Sequence, residues 1–185
     1  MKPALLVIDA QNEYFAPHGK WVLPDGEKAL EQIQSLLTTA REAQVPIFHI
    51  VHEELDPHAA VFRAGSSGTE MHPEIVVQAG EKIVQKHFPG SFTQTPLEAF
   101  LRQEQVDTII ISGYMTQMCC DTTTRQADER GFSVLFAADA TAARDLALDE
   151  HTVSHDVIQE TTLAIMTQFA NVQKTKAIIA KILDE

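Results

Sequence analysis

The amino-acid sequence predicts an α/β fold. We expect a doubly wound domain with three α/β/α layers, in which helices cover both faces of a mostly parallel sheet of about six strands. Short apolar runs alternate along the chain with segments whose apolar residues recur every three or four positions, a pattern typical of βαβ units. The run from Ile109 to Ile111 is apolar at every position, as expected for a strand buried on both faces of a parallel sheet. The 185 residues, 44% of them hydrophobic, suit one domain over residues 1–185.

Six segments are interpreted as strands because they are apolar and are followed by turn residues or acidic residues. In chain order they are residues 4–8, 46–51, 82–84, 109–111 and 132–137, with a short sixth candidate at Val172. The polar segment 52–80 between the second and third strands is long for a compact domain. Loops of this length are usually lids or binding loops, and we expect one here.

Helices are predicted between the strands from their caps and from their apolar periodicity. They comprise residues 27–43 capped by Asp25, a segment after the capping box of Thr95 and Glu98, a segment from the cap Thr116 to about Gly131, residues 149–169, and a tail from residue 174. Strand and helix alternate without internal repeats, which favours parallel pairing with crossover helices.

Composition excludes several classes of partner. The chain has 14 Lys and Arg residues and 26 Asp and Glu residues, which give a net charge of −12. This negative charge argues against nucleic acid as a partner. The two cysteines, Cys119 and Cys120, are adjacent, a poor arrangement for a disulfide framework and one that favours a reducing cytoplasm. We expect no signal peptide, no membrane span and a small-molecule substrate.

Three reactive side chains follow the predicted strands. Asp9 ends the first strand, Lys86 follows the third, and Cys119 follows the fourth. Ligands of doubly wound sheets bind outside the carboxyl ends of the strands, so these residues should meet there. A carboxylate can serve as a base for a thiol, and an ammonium lowers a thiol pKa. Each residue alone also fits a structural role, and Cys119 at a helix start is either a nucleophile or a buried, inert cysteine.

The pattern resembles the isochorismatase-like superfamily of cysteine hydrolases, which includes nicotinamidases, N-carbamoylsarcosine and ureidoacrylate amidohydrolases, and isochorismatases. The motifs that carry the resemblance span most of the chain. They are Asp9 with Gln11 and Phe15; Lys86 with Ser91, Phe92, Thr95 and Leu97; Gly113, Thr116, Cys119 and Thr123; and Asp139 with Ala140.

The resemblance implies a catalytic triad of Asp9, Lys86 and Cys119. It also implies a non-proline cis peptide between Tyr114 and Met115, and an oxyanion hole formed by the amides of Met115 and Cys119. Amide, carbamoyl or ureido C–N hydrolysis is favoured, because isochorismatases proper commonly lack the cysteine. Vinyl-ether hydrolysis and a catalytically idle binding or scaffold module remain alternatives, and a homodimer or homotetramer is expected.

We expect no metal and no other cofactor. The region of His49, His52 and His58 invites a metal site, but Ile50 stands where the resemblance would place a ligand aspartate, and histidines three apart on a strand point to opposite faces. His151 and His155 lie four apart on the predicted helix 149–169, where a solvated face is the better interpretation. No glycine-rich phosphate loop follows any strand, which argues against a nucleotide cofactor.

Two loops are candidates for substrate binding. Phe15 and Trp21 lie in the loop after the first strand, and Phe62 and Arg63 lie in the long segment 52–80. Arg63 can hold a substrate carboxylate as a bidentate clamp, and pairing with a nearby surface acid is its alternative role.

Overall fold

A central parallel sheet organises the computed structural model, which describes residues 1–184. The strands are β1 (Pro3–Ile8), β2 (Ile47–His52), β3 (Lys82–Lys86), β4 (Thr108–Tyr114), β5 (Ser133–Ala142), β6 (Leu146–Leu148), β7 (His151–Val153) and β8 (Asn171–Gln173). The helices are α1 (Gly26–Glu42), α2 (Leu97–Gln103), α3 (Asp121–Glu129), α4 (His155–Met166) and α5 (Thr175–Leu183). Six strands form the sheet in the order β3-β2-β1-β4-β5-β8, and every neighbouring pair is parallel. The predicted fold class is therefore confirmed.

Helices cover both faces of the sheet, because the central strands carry apolar side chains on both faces. In β1, Leu5 and Val7 pack into the cluster that contains α1 and α5, whereas Leu6 and Ile8 pack into the cluster that contains α2, α3 and Met166 of α4. The strand is buried along nearly its whole length. This explains why the central strands are continuous apolar runs rather than alternating ones.

Strand order reverses between β1 and β4, which is the topological switch point of the sheet. Gly113 makes the close pairing of these strands possible at their carboxyl ends. Its φ is +117°, and a Cβ at this position would lie 2.0 Å from the carbonyl oxygen of Ile8. A side chain therefore fits there neither sterically nor conformationally. The result is a crevice between the segment after β1 and the segment after β4.

The helix predicted over residues 149–169 is wrong in its first third. Residues 146–153 instead form the antiparallel hairpin of β6 and β7, with Asp149 at φ +52° in the turn. Aspartate tolerates this left-handed conformation, which suits a two-residue hairpin loop. Since α4 begins only at His155, His151 and His155 do not share a helix face, and that interpretation is wrong as well.

Caps and strand ends also differ from the predictions. Asp25 occupies the N-cap position of α1, but its side chain makes no capping bond and pairs with Lys28 at 2.7 Å. Thr116 is the first residue of a π-helical turn, Thr116–Cys120, rather than a cap. Asp139 lies inside β5, where its carboxylate accepts from the amide and the hydroxyl of Thr175. Within residues 1–184, no helix combines the length and the apolar character that a bilayer crossing requires.

Candidate active site

Asp9 and Lys86 form a buried ion pair at the carboxyl end of the sheet. Asp9 leaves β1 with φ at +50°, and its amide donates to the carbonyl oxygen of Ile50, so the pairing with β2 extends to this residue. Lys86 is the last residue of β3, from which its ammonium reaches Asp9 Oδ2 at 2.8 Å. Both side chains are 0% exposed. Asp9 Oδ1, also buried, has no hydrogen-bond partner among residues 1–184 and is available as a proton acceptor.

Cys119 lies in the π-helical turn that follows β4, beside this ion pair. The Lys86 ammonium donates to Cys119 Sγ at 3.4 Å, and the thiol is nearly buried. The structure therefore brings together the three side chains that the sequence predicts at this edge of the sheet. Cys120 is completely buried and packs in the apolar cluster that contains α3.

The surroundings of Cys119 favour the neutral thiol over the thiolate. Burial raises the pKa of Cys119 well above its ordinary value, the negative charge of Asp9 raises it further, and the Lys86 ammonium lowers it only in part. A base would therefore be needed to deprotonate this thiol, and the Asp9 carboxylate lies beside it.

Burial lowers the pKa of Lys86, but the negative charge of Asp9 and its hydrogen bond to the ammonium raise the pKa above its ordinary value, so Lys86 remains an ammonium. Its third neighbour is His52, whose Nδ1 lies 3.2 Å from Lys86 Nζ. Burial and the Lys86 charge lower the pKa of His52, which is therefore a neutral acceptor at Nδ1. The His52 Nε2–H donates to Glu54 Oε1 at 3.0 Å, and these two partners define the tautomer.

The backbone of His52 is fixed by Gln11 from the loop after β1. Gln11 Oε1 accepts from the His52 amide at 2.8 Å, and Gln11 Nε2 donates to the His52 carbonyl oxygen at 2.8 Å. Gln11 Nε2 also donates to the carbonyl oxygen of Thr69 at 2.7 Å. One buried amide therefore holds the end of β2 and the long loop against the site.

The predicted oxyanion hole lies at the start of the π-helical turn. Met115 precedes the turn and Cys119 lies within it, and both residues are buried. The peptide between Tyr114 and Met115 is cis. The Cys120 amide donates to the Met115 carbonyl oxygen at 3.2 Å, which closes the turn. The role of the Met115 and Cys119 amides in catalysis stays a prediction.

A cavity of about 250 Å³ opens onto Cys119. Its walls are largely aromatic and apolar, and His52 and Glu54 are the polar side chains among them. The lining residues are Tyr14, Trp21, His52, Glu54, Val61, Phe62, Pro89, Met118 and Cys119. This volume is at the small end for ligand sites, so the cavity suits a small substrate.

Two of the four predicted substrate-binding residues, Trp21 and Phe62, line this cavity. Phe15 is buried outside the lining, where its ring packs 4.4 Å from His72 and 5.4 Å from Tyr114, measured between ring centroids. Arg63 is exposed and also lies outside the lining. The prediction that Phe15 and Arg63 bind substrate therefore has no support from this cavity.

Glu13 fixes the backbone of the cavity residue Phe62, a role that was not predicted from the sequence. Its buried carboxylate accepts from the Phe62 amide at 3.1 Å and from the Lys20 amide at 2.8 Å. Phe62 has φ at +50°, a costly conformation for a bulky residue, and these bonds help to maintain it. Glu13 and Tyr14 belong to a short 3₁₀ turn, Asn12–Tyr14, which has no periodic sequence signal.

The histidines considered for metal binding have other partners. His49 Nε2 lies 2.7 Å from Glu81, His52 contacts Lys86 and Glu54, and His58 is exposed. In the described part of the chain, the ligand atoms of Asp25, His155 and Asp156 lie within 4.8 Å of one another. That group lies apart from Cys119, and two of its members already pair with Lys28 and Asp145. The absence of a metal cofactor stays a prediction.

The fold and the site together define a doubly wound α/β protein with a buried thiol, carboxylate and ammonium at the switch point of its sheet. Residues 3–174 match the isochorismatase domain. The chain therefore belongs to the isochorismatase family and is a hydrolase of that family.

Similar proteins agree with this assignment. The chain is 34% identical over 180 residues to the uncharacterized isochorismatase family protein YddQ of Bacillus subtilis, covering 97% of this chain and 99% of YddQ. It is 32% identical over 162 residues to nicotinamidase 3 of Arabidopsis thaliana, covering 81% and 78% of the two chains. The crystal structure of a putative isochorismatase hydrolase from Oleispira antarctica has a TM-score of 0.91 and 35% identity, covering 97% of this chain and 96% of that one.

Proposed function

We propose that the protein hydrolyses a C–N bond of a small amide, carbamoyl or ureido compound, with Cys119 as the nucleophile. The observation that carries the proposal is the buried cluster in which Lys86 Nζ lies 2.8 Å from Asp9 and 3.4 Å from Cys119, of which Cys119 lines the cavity. The similarity to a nicotinamidase supports amide chemistry in particular.

In the first half of the reaction, the free Oδ1 of Asp9 takes the thiol proton as Sγ attacks the substrate carbonyl carbon. A C–S bond forms, and the amides of Met115 and Cys119 hold the oxyanion. Asp9 then returns the proton to the substrate nitrogen, the C–N bond breaks and an amine or ammonia leaves. In the second half, Asp9 takes a proton from water, which attacks the thioester carbon and releases the acid and the Cys119 thiol.

Lys86 makes this proton transfer possible because its positive charge is present throughout. The ammonium stabilises the Asp9 carboxylate before the transfer and the sulfur as negative charge develops on it. His52 accepts a third hydrogen bond from the ammonium and so restricts its orientation. The neutral state of His52 matters, because an imidazolium at this position would repel Lys86.

The test is a panel of small primary amides, carbamoyl amino acids and ureido acids, assayed for ammonia release with the full chain. We expect at least one compound to be turned over and the Cys119→Ala variant to be inactive towards it. Cys120→Ala is the matched control, since Cys120 is buried beside Cys119 but does not line the cavity. A Cys119→Ala variant with full activity would refute the nucleophile, and product from a vinyl ether without any amide turnover would favour ether hydrolysis.

A further inference from the structure

The hydroxyl of Tyr14 is a polar group that the proposed mechanism does not use. The Tyr14 side chain is 1% exposed and lines the cavity together with Cys119. Its ring is held by Phe62 and Tyr114, at centroid distances of 5.1 and 5.6 Å. No group within residues 1–184 forms a hydrogen bond with this hydroxyl. The hydroxyl oxygen is not fully enclosed by protein atoms, and Tyr14 lines the cavity, so the cavity is where a partner for this hydroxyl is expected.

Tyr114 provides an internal comparison. It is buried to the same extent, but its hydroxyl donates to the carbonyl oxygen of Gly26 at 2.8 Å and it does not line the cavity. The rings of the two tyrosines pack against each other, with a centroid distance of 5.6 Å. The missing partner is therefore particular to the residue that faces the cavity.

The Tyr14 hydroxyl is a neutral donor close to the reacting groups. Burial raises its pKa well above the ordinary value, so the hydroxyl is neutral. Tyr14 and Cys119 line the same cavity. Trp21 and Phe62, which also line the cavity, offer aromatic surfaces that suit a flat group.

We propose that the Tyr14 hydroxyl is a substrate-binding donor that selects small, flat amides with a hydrogen-bond acceptor, such as a ring nitrogen, on the acyl group. The inference rests on the proposed function, because it takes Cys119 as the point at which the substrate carbonyl is held. In a primary amide the acyl group is the part large enough to fill the cavity. A site built to bond with an acceptor discriminates against an analogue of the same shape that lacks one.

Aromatic aldehydes test this selectivity without requiring turnover. The Cys119 sulfur adds to the aldehyde carbon and the thiol proton ends on the former carbonyl oxygen, so the adduct is reversible and has no leaving group. Benzaldehyde and the three pyridine carbaldehydes have nearly the same shape and differ in the ring nitrogen. Binding can be followed by the fluorescence of Trp21, the single tryptophan of the chain, which lines the cavity.

We expect at least one pyridine carbaldehyde to bind more tightly than benzaldehyde to the wild-type protein. That preference should fall roughly three- to tenfold in Tyr14→Phe, the loss expected for one hydrogen bond. Comparison of the two proteins cancels the different electrophilicity of the aldehydes. Tyr114→Phe is the matched control and should keep the wild-type preference. The urea midpoint should be unchanged in Tyr14→Phe, because the wild-type hydroxyl has no partner within residues 1–184, and lowered in Tyr114→Phe, because that hydroxyl donates to Gly26.

The same preference in wild type and Tyr14→Phe would overturn the inference, and so would a titration in which no aldehyde binds. Ammonia release in the amide panel separates this failure from that of the proposed function. Turnover with an unchanged preference removes only the role of Tyr14. Absence of both turnover and binding removes both proposals.

Discussion

Replacement of Lys86 by Met should destabilise the protein strongly, because it leaves the Asp9 carboxylate buried without a cation. Both side chains are 0% exposed, and Asp9 Oδ1 is already without a partner among residues 1–184. Removing Lys86 also takes away the ammonium that donates to Asp9 Oδ2 at 2.8 Å. Breaking a buried pair from one side typically costs about 3–5 kcal/mol. We expect Lys86→Met to lose an amount in this range.

Urea unfolding at pH 7 measures the effect, provided the slope of the transition stays the same. The double variant Asp9→Asn with Lys86→Met should lose less than the sum of the two single variants, by at least about 1 kcal/mol, because it removes both charges. Lys82→Met is the matched control. Lys82 pairs with Glu104 at 2.9 Å, but both side chains are partly exposed, so we expect a loss of about 1 kcal/mol or less. Additive losses for Asp9 and Lys86, or equal losses for Lys86 and Lys82, would refute the reasoning.

Two further predictions concern His52 and Glu81. His52→Ala should lower kcat/KM on amides by about tenfold or more in steady-state assays, because Lys86 loses an acceptor. His52→Asn retains an acceptor near the Nδ1 position and should lose less. Equal losses in kcat/KM for the two variants would contradict a positioning role. Burial alone raises the pKa of Glu81, but hydrogen bonds led by that from Arg41 lower it to about 2, below its ordinary value of 4.5. Its contribution to stability is therefore complete above pH 4.5 and is lost as the pH falls towards 2. Glu81→Gln should remove a pH-dependent contribution to the free energy of unfolding on the order of 2–3 kcal/mol between pH 4.5 and 2. Urea unfolding at a series of pH values measures this contribution. The same pH dependence in wild type and Glu81→Gln would contradict the assignment.

The convergence of Asp9, Lys86 and Cys119 could be predicted because it depends on strand topology alone. Parallel strands end at one edge of the sheet, and a residue that follows such a strand must lie there. The side chain of Lys86 reaches Asp9 across β2, past His52, which is its register partner. The apolar runs in the sequence show where these strands end, so the meeting of Asp9, Lys86 and Cys119 could be predicted.

The cavity walls could not be predicted in the same way. Of the neighbouring aromatics Tyr14 and Phe15, the sequence favoured Phe15, but Tyr14 lines the cavity and Phe15 packs against His72. A short 3₁₀ turn and the bonds of Glu13 decide which ring faces inward, and neither has a periodic signal. The same limitation explains the error at residues 149–153, where a hairpin turn with positive φ at Asp149 replaces the predicted helix.

The most direct test of the central claim is detection of the acyl group on Cys119. A single-turnover reaction with an amide identified in the panel should be stopped with acid and measured by mass spectrometry of the intact protein and of the peptide that contains Cys119. We predict a mass increase equal to the acyl group, located on Cys119 by fragmentation, still present in Cys120→Ala and absent in Cys119→Ala. Turnover of the amide with no such adduct, or an adduct on Cys120 alone, would contradict the account.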